Sequence, residues 1–162
     1  MRFGGVVRVL RSVSGLPSLD LRFRHANPDD FVALCLLDTF AAEHPKRREA
    51  IAIWINEGAC IIAEVNGEAT GYAVLTKHFF GAFFIEMLMV GNRFRGRGFG
   101  LALLRHLQAQ CAGSKLFSST NMSNRTMQNL LLKAGFKPSG YIDNLDVNDP
   151  ELVFFYPAYP DP

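Results

Sequence analysis

At 162 residues, with 49% apolar and 20% charged, the chain has material for a packed core and is too apolar for a disordered segment. A net charge of +2 is too weak to argue for a nucleic-acid partner, and no apolar run is long enough to span a bilayer. Cys35, Cys60 and Cys111 are odd in number and sit in apolar runs, which predicts reduced thiols in a cytoplasmic protein rather than a disulfide framework.

In chain order, residues 1–18 carry Arg2, Arg8, Arg11 and several serines, with no acid. Their apolar pairs are too short for a secretory signal. The composition also suits a transit peptide, but the expectation is a flexible extension or an added edge strand, followed by one domain over residues 19–162. Leu19, Leu21 and Phe23 alternate with charged residues and predict a first strand. Asn27-Pro28 then offers a cap and a first-turn proline, with Asp29 and Asp30 complementing the dipole, for a helix to about residue 40. Pro45 opens a second helix that places Ile51, Trp54 and Ile55 on one face and stops at Gly58; Trp54 reads as core or cleft wall.

Asn66-Gly67 predicts a hairpin joining residues 60–65 to 69–75, and residues 79–90 read as one long strand. A third helix over residues 98–112, a short strand at 115–119, a fourth helix at 124–134 and strands near 139–145 and 152–156 complete the chain. The expected class is α/β: a central mixed, mostly antiparallel twisted sheet of about seven strands flanked by about four helices.

Residues 90–100, Val-Gly-Asn-Arg-Phe-Arg-Gly-Arg-Gly-Phe-Gly, join an apolar strand to a helix. Glycine reaches positive φ and lets a ligand approach the backbone, while a helix start presents unpaired N–H groups and positive potential. The loop therefore reads as a pyrophosphate cradle. A dinucleotide fingerprint needs Gly-x-Gly-x-x-Gly and an acid about 20 residues on; here the glycines fall at 96, 98 and 100, and residues 115–122 hold no acid. A nucleotide triphosphatase loop needs Gly-Lys-Ser/Thr where Arg97-Gly98 stands.

Arg95-Gly96-Arg97-Gly98-Phe99-Gly100 resembles the Arg/Gln-x-x-Gly-x-Gly/Ala signature of the GCN5-related N-acetyltransferases (GNAT), which bind acetyl-coenzyme A. Downstream, Asn124-x-x-Met127-x-x-Leu130-Leu131-x-Lys133-x-Gly135-Phe136 is similar to that family's second coenzyme motif. The resemblance spans about residues 19–157 and implies the GNAT fold, with acetyl-CoA as co-substrate. It implies that residues 95–100 hold the pyrophosphate, that Leu88, Met89 and Val90 supply backbone to the pantetheine arm and the thioester oxygen, and that Asn124 lies beside the coenzyme. It also implies that the strand carrying Leu88 splays from its neighbour. The blander reading of Asn124 is a plain helix cap.

Acetyl transfer to an amine requires a neutral nucleophile, although a free alkyl amine has a pKa of about 10.4. Glu86 is the only acid in residues 79–90 and shares a strand face with Leu88 and Val90, so it is the candidate general base; the alternative is a pairing with a neighbouring Arg or His. The family often places a thiolate-protonating tyrosine where this chain has Leu131. Tyr141 is the nearest substitute, with solvent or a half-buried strand tyrosine as alternatives.

Asp143, Asp146, Asp149 and Glu151 fall in one segment without the glycine and ligand spacing of an EF-hand, which reads as a polar turn or as an acidic lip for a cationic amine. His25, His44, His78 and His106 show no metal spacing, so no metal is expected; His78 adjoins the long strand and is a candidate for the acceptor cleft. The reading is an N-acetyltransferase for a small-molecule amine, with no nucleic-acid or membrane partner and a homodimer left open. A protein N-terminal or lysine acetyltransferase and a non-catalytic acyl-CoA sensor are the alternatives.

Overall fold

The computed structural model describes residues 20–158, so the expected extension at residues 1–18 lies outside the described residues. Among the described residues seven strands are formed: β1 (Leu21–His25), β2 (Cys60–Val65), β3 (Glu68–Phe79), β4 (Ala82–Val90), β5 (Leu116–Asn121), β6 (Lys137–Ile142) and β7 (Glu151–Tyr156). They make one sheet in the order β1-β2-β3-β4-β5-β7-β6. β4 and β5 run parallel, whereas β1–β2, β2–β3, β5–β7 and β6–β7 are antiparallel, which is the mixed α/β sheet expected. The helices are α1 (Phe31–Leu37), α2 (Thr39–Glu43), α3 (Pro45–Asn56), α4 (Phe99–Gln110) and α5 (Arg125–Lys133). The chain packs as two compact units.

The first unit comprises the described residues through Val74, together with Leu88–Phe99. Cys60, Ile61, Ile62 and Ala63 of β2 are all buried, so this strand is covered on both faces and reads as a continuous apolar run. Asn66 (φ 52°) and Gly67 (φ 79°) form the expected hairpin turn. Asn27 and Asp30 cap each other's backbone as a capping box, and Arg24 is held between Asp30, at 2.7 and 2.8 Å, and Glu64, at 2.9 Å. Ile51 and Ile55, one turn apart on α3, enter the core.

The helix expected to run unbroken to about residue 40 is divided at Asp38. Its backbone is extended (φ −85°, ψ 95°), and its side chain caps α2 by accepting from the Phe40 N–H at 3.0 Å. The carboxylate is fully buried and also accepts from the Tyr72 hydroxyl at 2.7 Å and from Arg47 at 3.3 Å. A buried carboxylate must be surrounded by donors, and the break in the helix supplies one of them. Burial raises the Tyr72 pKa well above the ordinary phenol value, and Asp38 raises it further.

The second unit comprises Leu75–Met87 and the described residues from Gly100 onward. Residues 79–90 were expected as one strand; instead β3 extends to Phe79, and Phe80 (φ 51°) and Gly81 (φ 76°) turn the chain into β4. Two consecutive left-handed residues make the tight turn whose twist suits a hairpin. Leu103, Leu104, Leu107 and Cys111 form the buried stripe of the α4 region, and Leu131 of α5 is also buried. α5 ends in a paired cap: the Phe136 N–H donates to Leu131 O at 3.0 Å and the Gly135 N–H to Leu132 O at 2.9 Å, with Gly135 at φ 88°. Gln108 and Arg105 of α4 both donate to the Ala134 carbonyl, at 2.8 and 3.1 Å. β6 stops at Ile142, earlier than expected, and residues 143–150 form a loop with left-handed Asn144 and Asn148.

Candidate functional site

In the first unit, β4 ends at Val90 and the chain turns sharply. The Gly91 N–H donates to Thr70 O at 3.0 Å and the Phe94 N–H to Gly91 O at 2.8 Å, closing a 3-10 turn over Asn92–Phe94. A side chain at Gly91 would begin 3.2 Å from both Leu37 Cγ and Phe94 Cδ2, so it would fit only if those side chains gave way by a few tenths of an ångström. Gly96 (φ 74°) and Gly98 (φ 86°) are left-handed and flank Arg97, with open space where a Cβ would stand. Alternation of this kind turns successive N–H groups toward one side and builds an anion-binding concavity. Phe99, the first residue of α4, is buried and meets the Phe94 ring edge-on at 6.2 Å, which fixes the helix start behind the loop.

The arginines of this loop divide by task. Arg93 is engaged with Glu68 and lies 5.1 Å above the Phe94 ring. Arg95 donates from Nε to Val90 O at 3.1 Å, tying the loop to the strand end, and the residue is exposed. Arg97 is exposed and makes no side-chain hydrogen bond among the described residues. Leu88, Met89 and Val90 are half-buried.

In the second unit, the β4–β5 ladder covers only Phe83↔Leu116, Phe84↔Phe117 and Ile85↔Ser118. β5 continues to Asn121, paired along its other edge with β7 over its whole length. Ser119, Thr120 and Asn121 therefore have no ladder partner on the β4 side among the described residues. Such a backbone edge can take a ligand by strand-like hydrogen bonding.

Glu86 lies one residue past the end of that ladder. Its Oε1 accepts from the Thr76 hydroxyl at 2.7 Å and from His78 Nδ1 at 2.9 Å. The carboxylate keeps 23% of its surface exposed, and its Oε2 accepts no bond among the described residues. The expected alternative, a pairing with a neighbouring histidine, is present, and it leaves one oxygen available. Thr76, which is buried, was not singled out from the sequence. Its signal was local, two residues before His78 on a strand that had been expected to end at residue 75.

Asn124 caps α5, accepting from the Met127 N–H at 3.1 Å. Leu131, at the position where a tyrosine was sought, is buried in the core of this unit. Tyr141 is 65% exposed on edge strand β6, separated from β5 by β7. In the acidic segment, Asp146 accepts from Asn121 Nδ2 at 2.8 Å, and Asp149 accepts from the Ser123 N–H at 2.9 Å and hydroxyl at 2.6 Å. These acids latch the loop; of the loop's acids, Asp143 alone makes no such bond among the described residues. Cys35, Cys60 and Cys111 are free thiols, with burial pushing Cys60 up to about 12 and Cys111 to about 11. No helix among the described residues is long and apolar enough to cross a membrane.

Comparison with known proteins agrees with this layout. The sequence pattern of the acetyltransferase (GNAT) family matches residues 29–136. An acetyltransferase of that family from Bacillus cereus, solved as a crystal structure, is 32% identical, with a TM-score of 0.74 over 84% of this chain and 96% of that one. Two more distant structures share the fold. One is yncA of Salmonella typhimurium with its cofactor acetyl-CoA, at 19% identity and TM-score 0.68 over 87% of this chain and 95% of that one. The other is Naa50 of Arabidopsis thaliana with the bisubstrate analogue CoA-Ac-MVNAL, at 22% identity and TM-score 0.68 over 85% and 98%. No curated protein sequence matches the chain significantly. The two glycine-rich and helix-capping motifs, the interrupted parallel ladder and the family match lead to one conclusion: the chain belongs to the acetyltransferase (GNAT) family, whose acyl donor is acetyl-coenzyme A.

Proposed function

We propose that the protein transfers the acetyl group of acetyl-CoA directly to the primary amine of a small molecule. The observation that carries this reading is Glu86: a part-exposed carboxylate with one oxygen fixed by Thr76 and His78 and the other without a hydrogen-bond partner among the described residues. In this reading Oε2 takes the proton from the acceptor ammonium, directly or through one water, and leaves the amine nucleophilic. The amine nitrogen then attacks the thioester carbonyl carbon; the C–N bond forms, the attacking nitrogen gives up a second proton to solvent, and the C–S bond breaks. The departing thiolate takes its proton from solvent, because Leu131 cannot donate one and Tyr141 stands on the far edge strand.

Arg95, Gly96, Arg97, Gly98, Phe99 and Gly100 hold the pyrophosphate in this account, through backbone N–H groups, the helix start and the uncommitted Arg97. Backbone of Leu88, Met89 and Val90 serves the pantetheine arm and polarises the thioester oxygen. Asn124 acts here by shaping the start of α5. The free thiols fit a cytoplasmic setting.

The test is thiol release from acetyl-CoA in the presence of an amine panel. Glu86→Gln keeps the shape of the side chain and both bonds to Oε1 in altered form, and is expected to lower kcat by about a hundredfold or more with the acetyl-CoA affinity retained. An unchanged kcat in Glu86→Gln would remove Glu86 from the mechanism.

A further inference from the structure

Four strands of the second unit each place a phenylalanine in one row across the sheet. Phe84 on β4 is the register partner of Phe117 on β5, and Phe117 is the partner of Phe155 on β7. Directly paired residues share a face. Phe79, at the end of β3, stacks on Phe84 with centroids 4.9 Å apart and lies 5.2 Å from Phe117, which is 6.3 Å from Phe155. Phe80, 96% exposed at the hairpin turn, meets Phe79 edge-on at 5.1 Å. The four row members are half-buried, unlike the core rings of the same unit, Phe136 and Phe154, which are 2% and 4% exposed. A row built for the core would be as inaccessible as those.

Glu86 stands two residues after Phe84 on β4. Alternate strand residues share a face and lie about 7 Å apart, so the carboxylate held by Thr76 and His78 borders the row on the same side. An aromatic shelf with a single anion at its edge complements one kind of ligand. A ring or large apolar group lies on the phenylalanines, while a single ammonium, one or two carbons away, meets the carboxylate. The row itself holds no second acid to receive a second ammonium.

We propose that this row is the acceptor subsite and selects a primary amine bearing an aromatic or large apolar group one or two carbons from its nitrogen. The proposal deepens the acetyltransferase reading and rests on Glu86 as base. A free arylalkylamine and a peptide beginning with phenylalanine present the same chemistry.

The experiment titrates 2-phenylethylamine, ethylamine, spermidine and a phenylalanine-initiated tetrapeptide into the full-length protein in the presence of coenzyme A, and measures acetyl transfer to each. 2-Phenylethylamine is expected to bind about tenfold or more tighter than ethylamine and spermidine. Phe84→Ala is expected to abolish that preference, and Phe84→Leu to keep most of it, with acetyl-CoA affinity in both variants showing that they are folded. If the peptide outperforms the free amine, the selected group belongs to a polypeptide terminus, and the shelf stands. Absence of any preference in the wild type overturns the subsite, whether or not transfer occurs. A concentration-dependent dimer that Phe84→Ala dissociates, with no amine preference, would overturn it in favour of a second copy of the chain. Preferred binding of 2-phenylethylamine with no transfer to any amine would leave the subsite standing and remove the catalytic reading.

Discussion

Asp38 is the only fully buried carboxylate among the described residues, and its surroundings explain a local departure from helix periodicity. It accepts from a backbone N–H, a tyrosine hydroxyl and an arginine, so its charge is met on several sides. Tyr72→Phe removes one donor without opening a cavity and is expected to cost about 1–3 kcal/mol, read as a lowered urea midpoint; an unchanged midpoint would contradict the network. Asp30 behaves differently because it lies nearer solvent. The hydrogen bond from Arg24 holds its carboxyl below the usual value of about 3.9, against an opposing contribution from burial. A group with a depressed folded-state pKa contributes stability that is fully present above its unfolded value and is lost as pH falls through the folded one. The contribution of this pair is therefore expected to disappear below about pH 4. Arg24→Ala should flatten that part of the stability–pH curve, and an equally steep acid limb in the variant would count against the pairing.

At the scale of elements, α5 shows how a functional motif can consist largely of helix boundaries. Asn124 caps its start and Gly135-Phe136 closes its end with paired 6→1 and 5→2 bonds. The motif was therefore legible, but what its outer residues do in this chain is stop and start a helix. At Gly135, φ is 88° and a Cβ would stand 3.4 Å from the Tyr156 ring. Gly135→Ala is accordingly expected to destabilise the protein by about 1 kcal/mol or more, measured by thermal or urea unfolding; a neutral effect would mean that the cap is relaxed at little cost. Other boundaries were hidden from local reading. Within residues 28–40 the break at Asp38 is announced only by an aspartate able to cap, while the Tyr72 hydroxyl that also donates to it comes from far along the chain. The Phe80-Gly81 turn is embedded in an almost uninterrupted apolar stretch, where one glycine is a weak sign of a hairpin.

For the molecule as a whole, the α/β class and the order of the strands along the chain could be read in advance because each rests on short-range spacing. What could not be read was register. The sequence shows many phenylalanines, but only the pairing of β4 with β5 and of β5 with β7 aligns Phe84, Phe117 and Phe155. The position at which the parallel ladder stops, one residue before Glu86, is likewise a property of two strands. Glu86 was legible as the lone acid of its segment, whereas its fixation by Thr76 and His78 required the longer β3.

The loop from Arg95 to Gly100 is proposed to hold acetyl-CoA, which the chain uses as acyl donor. The most direct measurement is a calorimetric titration with acetyl-CoA, comparing the wild type with a Gly98→Trp/Gly100→Trp variant. Saturable binding by the wild type, lost in a variant that retains its fold by circular dichroism, is the predicted result. A folded wild type that takes up no acetyl-CoA would contradict the account and leave the family fold without its donor.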